Sequence, residues 1–388
     1  NAKEAKLEAL NNPISFYNVI KPEINFSEDS NYYAPRVYEK GKAVFDDFVS
    51  KNILKQDSHE SYYVYELTMG NHTQTGLVGC CSIDDYFNNT IKKHELTRPD
   101  KEEDRKNHVR YSALNYEAVF LSYPQVTGID QLVNITKKEK HLYDFISDDD
   151  IRHRLWAITN KEILRKITAL FKTKVPKIYI ADGHHRTAAG ALVGKEFRDS
   201  RNGNLDDKKR DNYFMAVVFP DNQLKILDYN RVVKDLNGFT KNELIQRLKN
   251  KFEVVTCATQ YRPESLHTFG MYLEGQWYKL SSLPDSYDDS DPIGQLDVSI
   301  LSKNVLEPIF DIIDLRKDIR IDFVGGMRGL SELEKRVDSG DMKVAFSMYP
   351  VSMTQLINIS DNDLLMPPKV TWFEPKLRSG LFIHDLTD

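Results

Sequence analysis

A chain of 388 residues, 40% hydrophobic and 29% charged, has room for two or three packed domains. That balance excludes collagen-like, mucin-like and wholly disordered chains, and no apolar run reaches the roughly 18 residues a membrane-spanning helix needs. The net charge of −5 speaks against a protein that wraps nucleic-acid phosphates, while a local anion-binding patch stays open. The N-terminus, Asn-Ala-Lys-Glu-Ala-Lys, has no apolar signal-peptide run. It also lacks Met, as expected of part of a longer product. Cys80, Cys81 and Cys257, two of them adjacent, make a poor secreted disulfide framework. The expectation is a reducing cytoplasm, with the thiols as small buried hydrophobes.

In chain order, residues 62–68 read as a Tyr- and Val-rich strand, Gly70-Asn71 as a turn and 75–81 as the return strand. Dense charge at helical spacing predicts an exposed helix over 91–109. Residues 117–123 read as a buried strand, and 161–171 as a helix with Ile163, Leu164, Ile167, Leu170 and Phe171 on one face. After Pro176 a strand runs over 177–181, then a helix of small residues over 187–193. Residues 201–212, polar and containing Gly203, form a loop. Strands 213–219 and 223–228 make a hairpin across Pro220-Asp221-Asn222. Thr240 with Glu243 is a capping box, opening a helix through Leu248 that precedes a strand over 252–256; Ser331 with Glu334 reads as a second box. Residues 284–297 form an acidic loop, 342–348 a strand, 352–357 a helix and 366–382 an extended Pro- and Lys-marked segment. There is no internal repeat. Short strands mixed with helices and hairpins predict α+β rather than regular βαβ winding. A seam near residues 228–236 divides an N-terminal lobe, 1–228, from a C-terminal α/β lobe, 229–388. Both belong to one homologous unit.

The most informative stretch is Ile178-Tyr-Ile-Ala-Asp182-Gly183-His184-His185-Arg186-Thr187-Ala188-Ala189. It is an apolar strand, an Asp-Gly step and a helix start. Gly183 lets a ligand approach the backbone. The first helical turn leaves N–H groups open, and its dipole favours an anion. Arg186 offers a planar fork suited to phosphate, and the small residues after it let the helix pack tightly. The pattern points to a phosphate site at a helix N-terminus. Two plainer readings stand beside it. His184 and His185 could be surface histidines, or metal ligands, although neighbours on a helix point about 100° apart.

Phosphoryl transfer needs positioning, charge neutralisation and a group that orients the attacking hydroxyl. Glu95 can accept the hydroxyl proton, or be one more solvated charge among Lys92, Lys93 and Arg98. Lys369 or Lys376 can neutralise further phosphate charge or, with Thr371, form a polar tail. Asp182 can orient Mg²⁺ or fix an imidazole tautomer. The loop Gly325-Gly326-Met327-Arg328-Gly329 lacks a Walker lysine and reads as an ordinary turn. His108 with Glu102, Glu103 and Asp104 reads as a solvated face. Arg231 contacts an anionic ligand or forms a structural ion pair.

The sequence Asp182-Gly183-His184-His185-Arg186 resembles the signature of the ParB/sulfiredoxin-like superfamily, in which a Gly-x-His-Arg turn holds nucleotide phosphates. The whole chain resembles the bacterial family called domain of unknown function 1015. It does so through Asn12-Pro13-Ile14-Ser15-Phe16, Val19-Ile20-Lys21-Pro22-Glu23, Ile91 to Lys101, Asp182 to Arg186, and Met366 to Lys376. The resemblance implies a ParB/sulfiredoxin-like mixed-sheet core with an additional C-terminal α/β lobe. Within the superfamily, the free-serine kinases phosphorylate the hydroxyl of L-serine from a nucleotide. Their Lys-x-His-Glu segment is similar to Lys92-Lys93-His94-Glu95, which implies a catalytic base at Glu95 beside His94. Their Asp-Gly-His-His-Arg turn is matched by Asp182 to Arg186. Their Pro-Lys-Thr-Thr segment is similar to Pro368-Lys369-Val370-Thr371, with Val370 in place of the first Thr.

The resemblance therefore implies a cytoplasmic, nucleotide-dependent kinase of free L-serine or a similar hydroxyl metabolite. It would use ATP or ADP with Mg²⁺ and have neither nucleic acid nor membrane as partner. The alternative is a non-catalytic nucleotide-binding regulatory module of ParB-like type. A DNA-partition protein is disfavoured by the negative charge and the lack of a basic recognition helix.

Overall fold

The structure, a computed structural model, describes residues 2–201 and 208–387. It is a mixed α+β chain whose contacts divide it into two compact units. One runs to Gln223 and takes in the tail from Pro375 on; the other is Leu224–Glu374.

The first unit is built on an eight-stranded mixed sheet. Its order is Ile91–Lys92, Ile178–Asp182, Val119–Tyr123, Tyr213–Pro220, His72–Ser82, Tyr62–Met69, Ile151–Ile158 and Tyr143–Ile146. The first pair is parallel, as are Val119–Tyr123 and Tyr213–Pro220; the other neighbours are antiparallel. The expected hairpin over residues 62–81 forms, with Met69 opposite His72 and Gly70 in the turn at φ 58°. Val64, Leu121, Tyr123, Ile180, Phe214 and Ala216 are among the buried residues of its core.

The Ile178–Asp182 strand feeds directly into the long His184–Ser200 helix. Ala188, Ala189, Gly190, Ala191 and Gly194 are buried along it. They let the helix lie almost on the neighbouring chain: a Cβ at Gly194 would come within 2.3 Å of the Asp211 carbonyl oxygen. The Pro99–Ser112 helix packs beside it.

The second unit carries a six-stranded antiparallel sheet, in the order Phe252–Cys257, Gln276–Ser282, Thr268–Leu273, Val344–Ser347, Tyr229–Val233 and Ile321–Gly325. Val232, Trp277, Val324, Leu333 and Ala345 pack in one of its buried clusters. The Thr240–Glu243 capping box is present. Gly325 and Gly326 make room for the Trp372 ring and the Asp228 carboxylate, as an ordinary turn would.

Several elements differ from the sequence reading. Residues 91–109 are not one helix. Ile91–Lys92 is an edge strand, and the helix starts only at Pro99, after an extended Arg98. Proline pre-sets the first helical position and keeps the residue before it extended. The hairpin across Pro220 is absent. Tyr213–Pro220 already has a partner on each edge, and Lys225–Ile226 pairs with Phe373–Glu374.

Ser331 lies inside a helix that begins at Leu330, so it caps nothing; the Glu334 carboxylate accepts from Trp277 Nε1 at 2.8 Å. The second capping box is Ser352 with Gln355. Cys80 is exposed rather than buried. Half of the loop expected over 201–212, residues 202–207, lies outside the described residues; Arg210–Asn212 forms a short 3-10 turn. Among the described residues no helix is long and apolar enough to cross a membrane.

Candidate functional site

The Asp182–Arg186 turn sits where the buried Ile178–Asp182 strand ends. Gly183 is the N-cap residue at φ 92°, a left-handed conformation that glycine adopts without strain. Its missing side chain has a second use. A Cβ there would lie 3.1 Å from the Arg186 guanidinium, which folds back over the glycine. No side chain caps the helix, so the N–H groups of His184, His185 and Arg186 form an open first turn. The first intrahelical bond runs from Thr187 N–H to the Gly183 carbonyl at 2.8 Å.

Asp182 organises the cations. One carboxylate oxygen accepts from Gly183 N–H at 2.9 Å, and the other accepts from Lys376 Nζ at 3.1 Å and lies 3.8 Å from Arg186 Nη2. Burial works to raise this carboxyl, but Lys376, Arg186 and the Gly183 N–H outweigh it and hold it below its usual range. Arg186 Nη1 also donates to the Ala118 carbonyl at 3.2 Å. Lys376 arrives on the C-terminal tail, which is anchored on both sides. Gln74 Nε2 donates to the Pro375 carbonyl at 3.2 Å, and the Ser379 hydroxyl donates to Glu117 at 2.9 Å.

Parallel pairing of Ile91–Lys92 with Ile178–Tyr179 carries the Lys-Lys-His-Glu segment alongside the turn. The His94 ring meets the His184 ring edge-on, with centroids 4.4 Å apart. His94 is 1% exposed and His184 9%. Both nitrogens of His94 and Nε2 of His184 are buried without a hydrogen-bond partner among the described residues. Glu95 follows His94 in the bend after the strand and is half-buried. His185, also half-buried, is held below its usual value by burial and then by Arg105 of the Pro99–Ser112 helix.

The expected group thus divides. His94, with Glu95 next to it in the chain, gathers with Asp182 to Arg186 and Lys376 in the first unit. Lys369 and Thr371 belong to the second unit, where the Lys369 carbonyl accepts from Arg231 Nη2 at 3.0 Å. Sequence reasoning missed a recess beside Arg186, lined by Arg105, His108, Tyr116, Glu117 and Met215. The solvated-face reading fails for His108, whose side chain is only 11% exposed and lies edge-on to Tyr38 with centroids 4.7 Å apart. Its partners come from elements distant in sequence, so local charge density could not reveal it.

Magnesium does not fit Asp182 as a resident ion. Each carboxylate oxygen already holds a donor, and the surroundings are cationic. Among the described residues no three His, Cys, Asp or Glu side chains gather as a metal site.

Burial, and then the neighbouring His184, pulls His94 well below 6.5; burial, and then His185, pulls His184 to about 3. The folded chain keeps both rings neutral while the unfolded chain protonates near 6.5. The unfolded state therefore binds more protons below that pH, and stability falls as pH drops from about 6.5 toward 3. Each ring should remove about 1.4 kcal/mol per pH unit in that window. Urea unfolding of His184→Gln at successive pH values should show a slope shallower by that amount. An unchanged slope would mean that His184 protonates in the folded chain.

Three solved structures resemble the chain weakly. A mutant of free serine kinase in complex with AMP is 12% identical, over 76% of this chain and 87% of that one, with a TM-score of 0.38. A conserved hypothetical protein from Pyrococcus furiosus is 14% identical, over 80% and 95%, with a TM-score of 0.38. SbnI with a C-terminal truncation, from Staphylococcus aureus, is 12% identical, over 78% and 84%, with a TM-score of 0.34. Scores this low carry no inference about the site. No curated protein matches. The matching family model, described as a protein of unknown function, DUF1015, covers residues 1–299, and the chain belongs to that family.

Proposed function

We propose that this chain is a nucleotide-dependent phosphotransferase of ParB/sulfiredoxin-like type, acting in the cytoplasm on the hydroxyl of free L-serine or a similar small metabolite. The observation that carries the reading is the Asp182–Arg186 turn. It has an uncapped helix start and a positive-φ glycine, and Arg186 and Lys376 are held on one carboxylate. The parallel strand pair beside it adds the Lys-Lys-His-Glu segment.

In this reading the N–H groups of His184 and His185, the Arg186 fork and the Lys376 ammonium hold the phosphates of ATP or ADP. Asp182 positions the two cations. Glu95 takes the proton of the acceptor hydroxyl as its oxygen attacks the terminal phosphorus and the bond to the leaving nucleotide oxygen breaks. His94 and His184, buried and neutral, pack against each other edge-on. Nucleic acid is not a partner.

A second reading, a nucleotide-binding module without transfer, is favoured by one observation. Both oxygens of Asp182 are engaged by the chain's own donors, so the turn is built to hold an anion more plainly than to react with it. The test is incubation with ATP, ADP or pyrophosphate and a pool of amino acids and hydroxy acids, with mass detection of products. The expected result is one phosphoryl group gained by one hydroxyl compound. Nucleotide binding without product from any donor would leave the module.

A further inference from the structure

The second unit holds a buried cation without a counter-ion. Arg231, on the Tyr229–Val233 strand, is 1% exposed. Its guanidinium donates to two carbonyls, those of Tyr229 and Lys369, and lies 5.5 Å from the Phe323 ring centroid. No carboxylate pairs with it among the described residues. Burial pulls it only to about 10, so it stays a cation at neutral pH. A buried charge without a partner is costly, and a fold retains one chiefly where something else supplies the opposite charge.

Arg231 lines a recess together with Tyr229, Met348, Gln355 and a second buried ionisable group, Asp297. Asp297 is 5% exposed. One of its oxygens accepts from His267 N–H at 2.8 Å, and the other is buried with no partner among the described residues. The recess therefore offers a fixed cation and an unused acceptor, and these two side chains do not pair with each other.

We propose that this recess binds a small carboxylic acid that carries a hydrogen-bond donor on its neighbouring carbon, an α-amino or α-hydroxy acid. The ligand carboxylate meets the Arg231 fork, and its ammonium or hydroxyl donates to the free oxygen of Asp297. Burial pushes the Asp297 carboxyl up to about 7, so the ionised form that accepts from such a donor gains population as pH rises through that value. The site lies wholly within the second unit and does not depend on the phosphate turn being a kinase.

The test is calorimetry with glycine, lactate and acetate on the full chain, its Arg231→Lys and Asp297→Asn variants, and Arg186→Ala as a control. Glycine or lactate should bind the unaltered chain and weaken about tenfold or more in Arg231→Lys, which loses the fork. Asp297→Asn keeps an acceptor for His267 N–H and turns the free oxygen into a donor. It should weaken glycine or lactate by a similar factor and leave acetate unchanged. Arg186→Ala should bind both as before. If Arg231→Lys fails to fold, Asp297→Asn still reads the site through the difference between lactate and acetate. Absence of binding to the unaltered chain, or equal affinity in a folded Asp297→Asn variant, would overturn the proposal.

Discussion

Glu95→Gln should bind nucleotide as the unaltered chain does and turn over about 10²–10⁴-fold more slowly. The amide keeps the size and shape of the side chain and removes its capacity to take a proton. The backbone around it should hold, because Ile91–Lys92 is fixed by parallel pairing with Ile178–Tyr179 and His94 is packed against His184. In the proposed reading nucleotide affinity rests on other groups, the open first turn, Arg186 and Lys376. The two halves of the reaction therefore separate in one variant: affinity by calorimetry and rate by product mass. Loss of affinity with rate retained would put Glu95 on the phosphates. Equal rates in the two forms would remove it from the proton transfer.

The strand–turn–helix at Asp182 to Arg186 was legible in the sequence because its information is local. Strand, Asp-Gly step and small-residue helix follow one another from Ile178 to Gly194, and each is decided by neighbours a few residues away. The capping box at Thr240 was legible for the same reason. Helix starts failed where proline or glycine overruled the pattern. Pro99 delayed a helix that charge spacing had placed from Ile91, and Gly329 opened one a step before the box proposed at Ser331.

Long-range pairing was hidden. Nothing near Lys225 says that its partner is Glu374, and nothing near Asp182 says that Lys376 will reach it. The Arg105–Tyr116 side of the recess was hidden too. A helix as charged as Pro99–Ser112 reads as solvent-facing until its neighbour, the His184–Ser200 helix, is known to lie against it.

Arg186→Ala should weaken nucleotide binding by about 1.5–3 kcal/mol, the usual worth of a charge-assisted hydrogen bond, or about 10–150-fold in dissociation constant. The fold should tolerate the change. The side chain is 27% exposed, its ion pair with Asp182 at 3.8 Å is long, and among the described residues its hydrogen bond goes to the Ala118 carbonyl; partly exposed pairs of this kind are worth about 0–1 kcal/mol. A near-unchanged melting temperature with a large loss of affinity is therefore the expected signature. Arg186→Lys sharpens the reading. It keeps the charge and loses the planar fork, so it should recover only part of the affinity if the guanidinium grips two phosphate oxygens. Full recovery would mean that Arg186 acts as a point charge. Affinity equal to the unaltered chain in Arg186→Ala would take it out of the site and leave the phosphates to Lys376 and the N–H groups of the helix start.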